Sequence, residues 1–279
     1  MSLHRITGET RLLAVIGHPV SHSLSPFIHN RLADALDLPY AYLAFGILPD
    51  SIGQFMDAAR SLGIAGFNVT MPLKERILPH MDGLSMAARE CGAVNTVLWQ
   101  DRKFAGHNTD GEGFILSLGR AGFHQAGDAL ILGAGGAARA VALALREAGW
   151  NVSIASRRNA MPDFPWIPWE DIRYAAANKL LVVNATPLGM PNHAPFPDVS
   201  FLDALPPNAL VYDLLYEPRE TLLLRAAKQK GLETMNGLPH LMCQAVLSFA
   251  LFTGVSPGED LVQAVFREMG EETLGALET

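Results

Sequence analysis

The chain has 279 residues, 49% of them apolar and 18% charged, which excludes global disorder and suggests two domains of ordinary size. Lys plus Arg total 21 against 28 Asp plus Glu, a net charge of −7 with His neutral. No basic run is long enough to track nucleic-acid phosphates. Cys91 and Cys243 form no CxxC pair and no disulfide scaffold, which points to a reducing, cytoplasmic home. No apolar run approaches the ~18 residues of a membrane span, and the first residues do not read as a signal peptide. Neither nucleic acid nor membrane is an expected partner, and the chain is expected to be a monomer or homodimer.

In chain order, short apolar runs alternate with helical periodicity. Residues 12–17, 41–45 and 66–70 read as strands, and 26–36 and 51–63 as helices. Ser25 is the expected N-cap and Pro26 the first helical residue of the earlier helix. Gly63 closes the later one. A helical segment follows at 84–91, then a hairpin of 95–99 and 103–106. Residues 111–122 are helical. Residues 128–150 read as strand, glycine turn and long helix, and 152–156, 180–186 and 209–215 as strands. A helix is expected at 219–231. The segment 157–178 carries Pro162, Pro165 and Pro168 and is short for a full crossover, so one helix is missing or reduced there. The tail from about 238 reads as two helices parted by 253–260. The alternation defines an α/β fold with largely parallel sheets.

Gly133-Ala134-Gly135-Gly136-Ala137-Ala138 follows a strand and opens a helix, the context of a dinucleotide fingerprint. Gly133 permits the tight turn. Gly135 admits a pyrophosphate to the helix N-terminus, and Ala138 stands in for the third glycine. An NAD site usually ends the next strand in a carboxylate on the ribose hydroxyl. Here it ends Ser156-Arg157-Arg158, with no carboxylate before Asp163, so the expected cofactor is NADP, its 2′-phosphate held by guanidinium forks. Thr186 and Met190 lie in a turn after another strand, where nucleotide sites form in open α/β sheets.

In the first half, Ser23 and Ser25 lie past the end of the first strand, where their hydroxyls can meet a ligand or, for Ser25, cap a helix. Asn68 and Thr70 share one face at the end of the third strand, with Lys74 just beyond. Asn95 opens a strand. Asp110, at the join of the two halves, reads as a site carboxylate or an N-cap. His18, His22 and His29 lack metal-ligand spacing, since Pro19 interrupts any helix between the first two, so no metal is expected.

The segments GHPVSHSLSPFIHN, GFNVTMPLK, GAVNTV, HNTDGEGF, GAGGAARA, NATPLGM, VYDLLYEP and NGLPHLMCQA together resemble the shikimate dehydrogenase family, in the family's order, over about residues 12–253. The resemblance implies reversible NADP-linked reduction of 3-dehydroshikimate to shikimate, in aromatic amino-acid (chorismate) biosynthesis. It places Lys74 and Asp110 at the catalytic pair. It places Ser23, Ser25, Asn68, Thr70, Asn95, Tyr216 and Gln244 at the substrate. Residues Gly133 to Ala137, Ser156 to Arg158, Thr186, Met190, Leu214 and Gly237 fall on the cofactor side. It also implies two open parallel-sheet α/β domains. One is a substrate-binding and catalytic domain of 1–108 completed by helices in 243–279, and the other a Rossmann-like NADP domain of 109–242, with the active site in the cleft.

Three places depart from the family pattern: His240 where many relatives carry Met near the nicotinamide, Ser-Arg-Arg where Asn-Arg-Thr is common, and no full helix with a further Arg after it. A lysine with the ordinary pKa of ~10.4 is a poor base at neutral pH. A desolvated cleft lowers that value and a neighbouring carboxylate raises it, so Lys74 and Asp110 are read as a coupled pair with Lys74 the provisional proton carrier. The competing readings are a quinate/shikimate dehydrogenase preferring NAD and a non-catalytic sensor of a shikimate-like ligand. The serine pair and the two arginines stand against the first, and the intact Lys74/Asp110 pair against the second.

Overall fold

The computed structural model describes residues 6–191 and 193–275. In chain order the elements are β1 Arg11–Gly17, α1 Ser25–Ala35, β2 Tyr40–Gly46, α2 Ile52–Leu62, β3 Gly66–Val69, β4 Gly83–Leu84, α3 Met86–Cys91, β5 Thr96–Gln100 and β6 Lys103–His107. Then follow α4 Asp110–Arg120, β7 Asp128–Leu132, α5 Gly136–Glu147, β8 Asn151–Ser156, β9 Trp166–Pro168, α6 Ile172–Ala175, β10 Leu181–Asn184, β11 Leu210–Asp213, α7 Leu222–Gln229, β12 Glu233–Met235, α8 Leu238–Thr253 and α9 Glu259–Gly275. The chain divides into two compact units, Met1–Thr109 with Met242–Thr279, and Asp110–Leu241. No described helix is long and apolar enough to cross a membrane.

The first unit holds a six-stranded sheet in the order β2-β1-β3-β5-β6-β4. Strands β2, β1 and β3 are parallel, and β3, β5 and β6 pair antiparallel. The hairpin between β5 and β6 turns on Asp101 and Arg102, both at positive φ (52° and 62°), as a tight two-residue turn requires. On α2, Ile52, Phe55, Met56 and Ala59 recur at helical spacing and are buried against one sheet face with Phe67, Val97 and Phe104. On α1, Ile28 and Leu32 are fully buried, and Arg31 Nε donates to Glu268 Oε2 of α9 at 2.7 Å. The C-terminal tail thus belongs to the unit built by the N-terminal half.

The second unit is a parallel sheet in the order β12-β11-β10-β7-β8-β9. Read from the other edge, with β7 as its first strand, this is the dinucleotide-binding order 3-2-1-4-5-6. Strands β7, β10 and β11 are buried on both faces, as parallel strands under helices must be. Core clusters lie on both faces, one with Val141 and Leu145 of α5 and one with Leu223 and Leu224 of α7.

Local details differ from expectation. Ser25 is not an N-cap: α1 starts at Ser25, and the cap position falls to Leu24, already helical at φ −81° and ψ −5°, with no side-chain cap. The tight turn after Val20 winds the chain into helical geometry one residue early. The helix expected at 84–91 starts at Met86, capped by Ser85, because residues 83–84 pair with β6 instead. The crossover after β8 holds a short edge strand, β9, and the one-turn α6, a reduced helix. Strand β12 is an addition to the expected elements, too short to carry a period.

Candidate active site

In the first unit the strand order reverses between β1 and β3, the switch point where open α/β sheets bind ligands beyond the carboxyl ends of their strands. The loop 18–24 leaves β1 there and the loop 70–74 leaves β3. Ser23 Oγ accepts the amide of Ser25 at 3.3 Å. The Ser25 hydroxyl lies beside the Tyr42 phenol and offsets part of the rise in its pKa. Tyr42 donates to Asn68 Oδ1 at 2.7 Å, and Asn68 Nδ2 lies 3.0 Å from each of Asn95 O, Thr96 Oγ1 and Ser248 Oγ. The backbone carbonyl of Asn95 can only accept, which sets the orientation of the Asn68 amide.

Asn95 Nδ2 donates to Thr109 Oγ1 at 2.9 Å and reaches Gln244 Oε1 at 3.5 Å, while its Oδ1 accepts from Thr109 N and Thr96 Oγ1, each at 2.9 Å. Five expected substrate-side residues thus sit at or beside one buried network: Ser23, Ser25, Asn68, Asn95 and Gln244. Thr70 and Lys74 are half-buried on the adjoining loop, where Thr70 N bonds Ile16 O and Lys74 O accepts from Val94 N. Burial pushes the Tyr42 phenol pKa well up, so it remains a neutral donor.

His29 packs in the core of the first unit. It is 1% exposed, stacks on Tyr42 at 4.2 Å and 3°, and packs near Phe249 and Phe252. Burial lowers its pKa to about 3, so it is a neutral ring in the core. Among the described residues no three His, Cys, Asp or Glu side chains cluster as a metal site.

The second unit has its switch point between β7 and β10. Gly133 turns the chain at φ +112°, a conformation open to glycine, and a Cβ there would also lie 3.1 Å from Ala185 O. Gly135 occupies the N-cap of α5, no side chain caps that helix, and the space beside Gly135 is open. The first amides of a 12-residue helix are therefore available to a phosphate. At the end of β8, Ser156 Oγ donates to Arg158 O at 2.6 Å and closes the turn that leaves Arg157 and Arg158 exposed. Uncapped amides, an open glycine and two exposed guanidiniums suit the pyrophosphate and 2′-phosphate of NADP.

Beyond β10 and β11 a second network forms that sequence reading missed. Asn184 Oδ1 accepts from Thr186 N at 3.0 Å and Thr186 Oγ1 at 2.6 Å. Asn184 Nδ2 donates to Asp213 Oδ1 at 2.9 Å, which also accepts from Leu215 N at 3.1 Å. Asp213 Oδ2 accepts from Thr221 Oγ1 at 2.7 Å, and Thr221 caps α7. The network fixes the loops that bear Thr186, Met190 and Leu214, while Gly237 N bonds Leu215 O. Its only sequence signal is a carboxylate closing the apolar run before Leu214. Tyr42 and Ser248 were missed as well. They show only as a period-two partner of Tyr40 and a one-turn partner of Gln244.

Burial raises the Asp213 pKa to about 6, against the lowering effect of its three hydrogen-bond donors. A carboxyl whose pKa is higher folded than unfolded weakens the fold above both values. Stability returns as the pH falls through about 6. Relative to Asp213→Asn, the wild type should therefore gain between about 1 and 2 kcal/mol from pH 7.5 to pH 5 by linkage. Urea melts of both proteins at the two pH values measure this, and a parallel pair of curves would refute it.

A glycine turn at an uncapped helix end, on a 3-2-1-4-5-6 sheet with a basic second-strand terminus, defines a nicotinamide-dinucleotide enzyme of two α/β units. Residues 15–97 match the model of the shikimate dehydrogenase substrate binding domain. The chain is 40% identical over 283 aligned residues to the shikimate dehydrogenase (NADP(+)) of Desulforamulus reducens, covering 95% of this chain and 97% of that one. It is 41% identical to that of Acidiphilium cryptum, covering 97% and 99%. The Thermus thermophilus shikimate 5-dehydrogenase, solved in complex with NADP(H) and shikimate, superposes with a TM-score of 0.82 at 38% identity, over 93% of this chain and 100% of that one. The chain belongs to the shikimate dehydrogenase family.

Proposed function

We propose that the chain catalyses the reversible NADPH-dependent reduction of 3-dehydroshikimate to shikimate, a step of aromatic amino-acid biosynthesis. One observation carries the reading: Lys74, Asp110 and both sets of polar loop residues stand in a chain similar to NADP(+)-dependent shikimate dehydrogenases over nearly its whole length. NADPH, when bound, supplies the hydride for the ring ketone.

The chain's own residues hold the partners and supply the proton. The α5 amides with Gly133 to Ala137 take the pyrophosphate, and Ser156, Arg157 and Arg158 the 2′-phosphate. Thr186, Met190, Leu214 and Gly237 line the rest of the cofactor site. Ser23, Ser25, Thr70, Tyr216 and Gln244 orient the carboxylated, hydroxylated ring. Asn68 and Asn95 hold these groups in place, since their amides are already engaged with neighbours. Lys74 delivers the proton to the alkoxide that forms as the ketone accepts the hydride, and Asp110 is its partner. A polar site of this kind rejects analogues that lack a hydroxyl, because they leave buried groups unpaired.

Initial rates with shikimate and with quinate, each with NADP and with NAD, test the reading. Shikimate with NADP should exceed each other combination by at least about tenfold, in line with the discrimination expected of hydrogen-bonding sites. Comparable rates with quinate or NAD would assign the chain to the broader-specificity alternative.

A further inference from the structure

Asp110 and His240 lie 130 positions apart, yet they meet inside the second unit. Asp110 is the first residue of α4 and is 3% exposed. His240 lies in the first turn of α8 and is 8% exposed. The His240 Nε2 stands 2.9 Å from the main-chain oxygen of Asp110. A carbonyl oxygen only accepts, so the proton is on Nε2 and the imidazole donates. The same ring meets Phe114 edge-on, with centroids 5.9 Å apart at 79°. Phe114 lies one turn further along α4 and is fully buried, packed against Tyr212.

His240 therefore grips the start of α4 at two points a turn apart, one polar and one aromatic. A third constraint comes from α5: a Cβ on Gly111 would fall 2.7 Å from Ala140 O, so the two helices touch backbone to backbone beside Asp110. Together these contacts fix the rotation of the helix start and with it the direction in which Asp110 leaves the main chain. A methionine at position 240 would fill the space but could not donate the hydrogen bond.

We propose that His240 is a positioning residue for Asp110, acting through the Asp110 carbonyl. The assignment rests on the catalytic role given to Asp110 under the proposed function. The predicted signature is a loss of turnover without a loss of binding, because misplacement of a reacting group by about 1 Å can reduce rate ~10²-fold while leaving ligand contacts intact.

The test compares shikimate oxidation by the wild type with His240→Met, His240→Asn and His240→Gln. The Gln amide nitrogen reaches about as far as Nε2, whereas that of Asn stops short. His240→Met and His240→Asn should lose about tenfold in kcat, within that positional limit, with KM for shikimate and NADP changed less than about threefold. His240→Gln should recover at least half of the wild-type kcat. Hydrogen exchange should be faster across residues 110–114 in the Met and Asn variants and near wild type in the Gln variant. An undiminished kcat in both Met and Asn variants would overturn the assignment. A raised KM for NADP at unchanged kcat would also overturn it, since His240 would then act on the cofactor. A wild type with no shikimate turnover would instead overturn the proposed activity itself.

Discussion

Lys74→Ala should lose about 10³-fold in kcat, near the middle of the ~10²–10⁴ that general acid–base groups contribute. Its Kd for shikimate should change by less than about tenfold, roughly one lost hydrogen bond. The contrast follows from the first unit's construction. Asn68 and Asn95 are tied to Tyr42, Thr96, Thr109 and Ser248 by hydrogen bonds, and the lysine lies on the loop after β3. Removing it takes away a proton donor and leaves those bonds between other residues in place. Initial rates give kcat, and calorimetric titration with shikimate gives Kd. Unchanged turnover would end the assignment. The companion variant Asp110→Asn, combined with Lys74→Ala, should lose little more than Lys74→Ala alone, because groups that act as a unit are not additive.

The second large effect concerns the cofactor. Arg157→Ala combined with Arg158→Ala should raise KM for NADP about 30- to 100-fold. That equals roughly 1 to 1.5 kcal/mol for each charge-assisted contact, the low end of the usual range because both guanidiniums are exposed. The KM for NAD should move less than about twofold, since NAD offers no 2′-phosphate to the pair. The turn itself should survive. It is closed by the Ser156 hydroxyl on the Arg158 carbonyl and by the Trp166 indole N–H on the Ser156 carbonyl, and neither bond uses a guanidinium. Raising ionic strength should reduce the NADP preference of the wild type and leave the double variant nearly unaffected. Equal effects on NADP and NAD would remove the 2′-phosphate argument.

The short connection after β8 gives the arginine pair its weight. Between Ser156 and Trp166 the chain has no room for a full crossover helix, and the only α-helix described between β8 and β10 is the single turn of α6. Two adjacent, exposed guanidiniums on one tight turn are therefore the groups that the double variant removes.

Much of the fold was legible in the residues because it rests on local rules. The step from a short apolar run to helical period across residues 128–147, with glycines between, predicts β7, its turn and α5. Gly63 ends α2 in the left-handed conformation that its lack of a Cβ allows. The Ser156-Arg157-Arg158 terminus is likewise a statement about three neighbours in sequence. These features depend on sterics, turn chemistry and charge over a few residues, so no tertiary contact is needed to read them.

Strand order and side-chain pairing lie beyond such rules. Nothing local says that β1 sits between β2 and β3, or that β7 sits between β8 and β10, yet those neighbours create the two switch points. Asn68 meets Ser248 across 180 positions and His240 meets Asp110 across 130. Asp213 becomes a hard-to-ionise carboxyl because the fold buries it, while Asn184 and Thr221, brought to it by the same fold, pull its pKa part of the way back down. By itself the sequence determined most of the helices and the longer strands, the glycine turn and the basic strand end, since each arises from forces that act within a turn or two of chain. The tertiary structure alone decided which polar groups are buried together, because hydrogen bonding in the interior depends on which strands lie side by side.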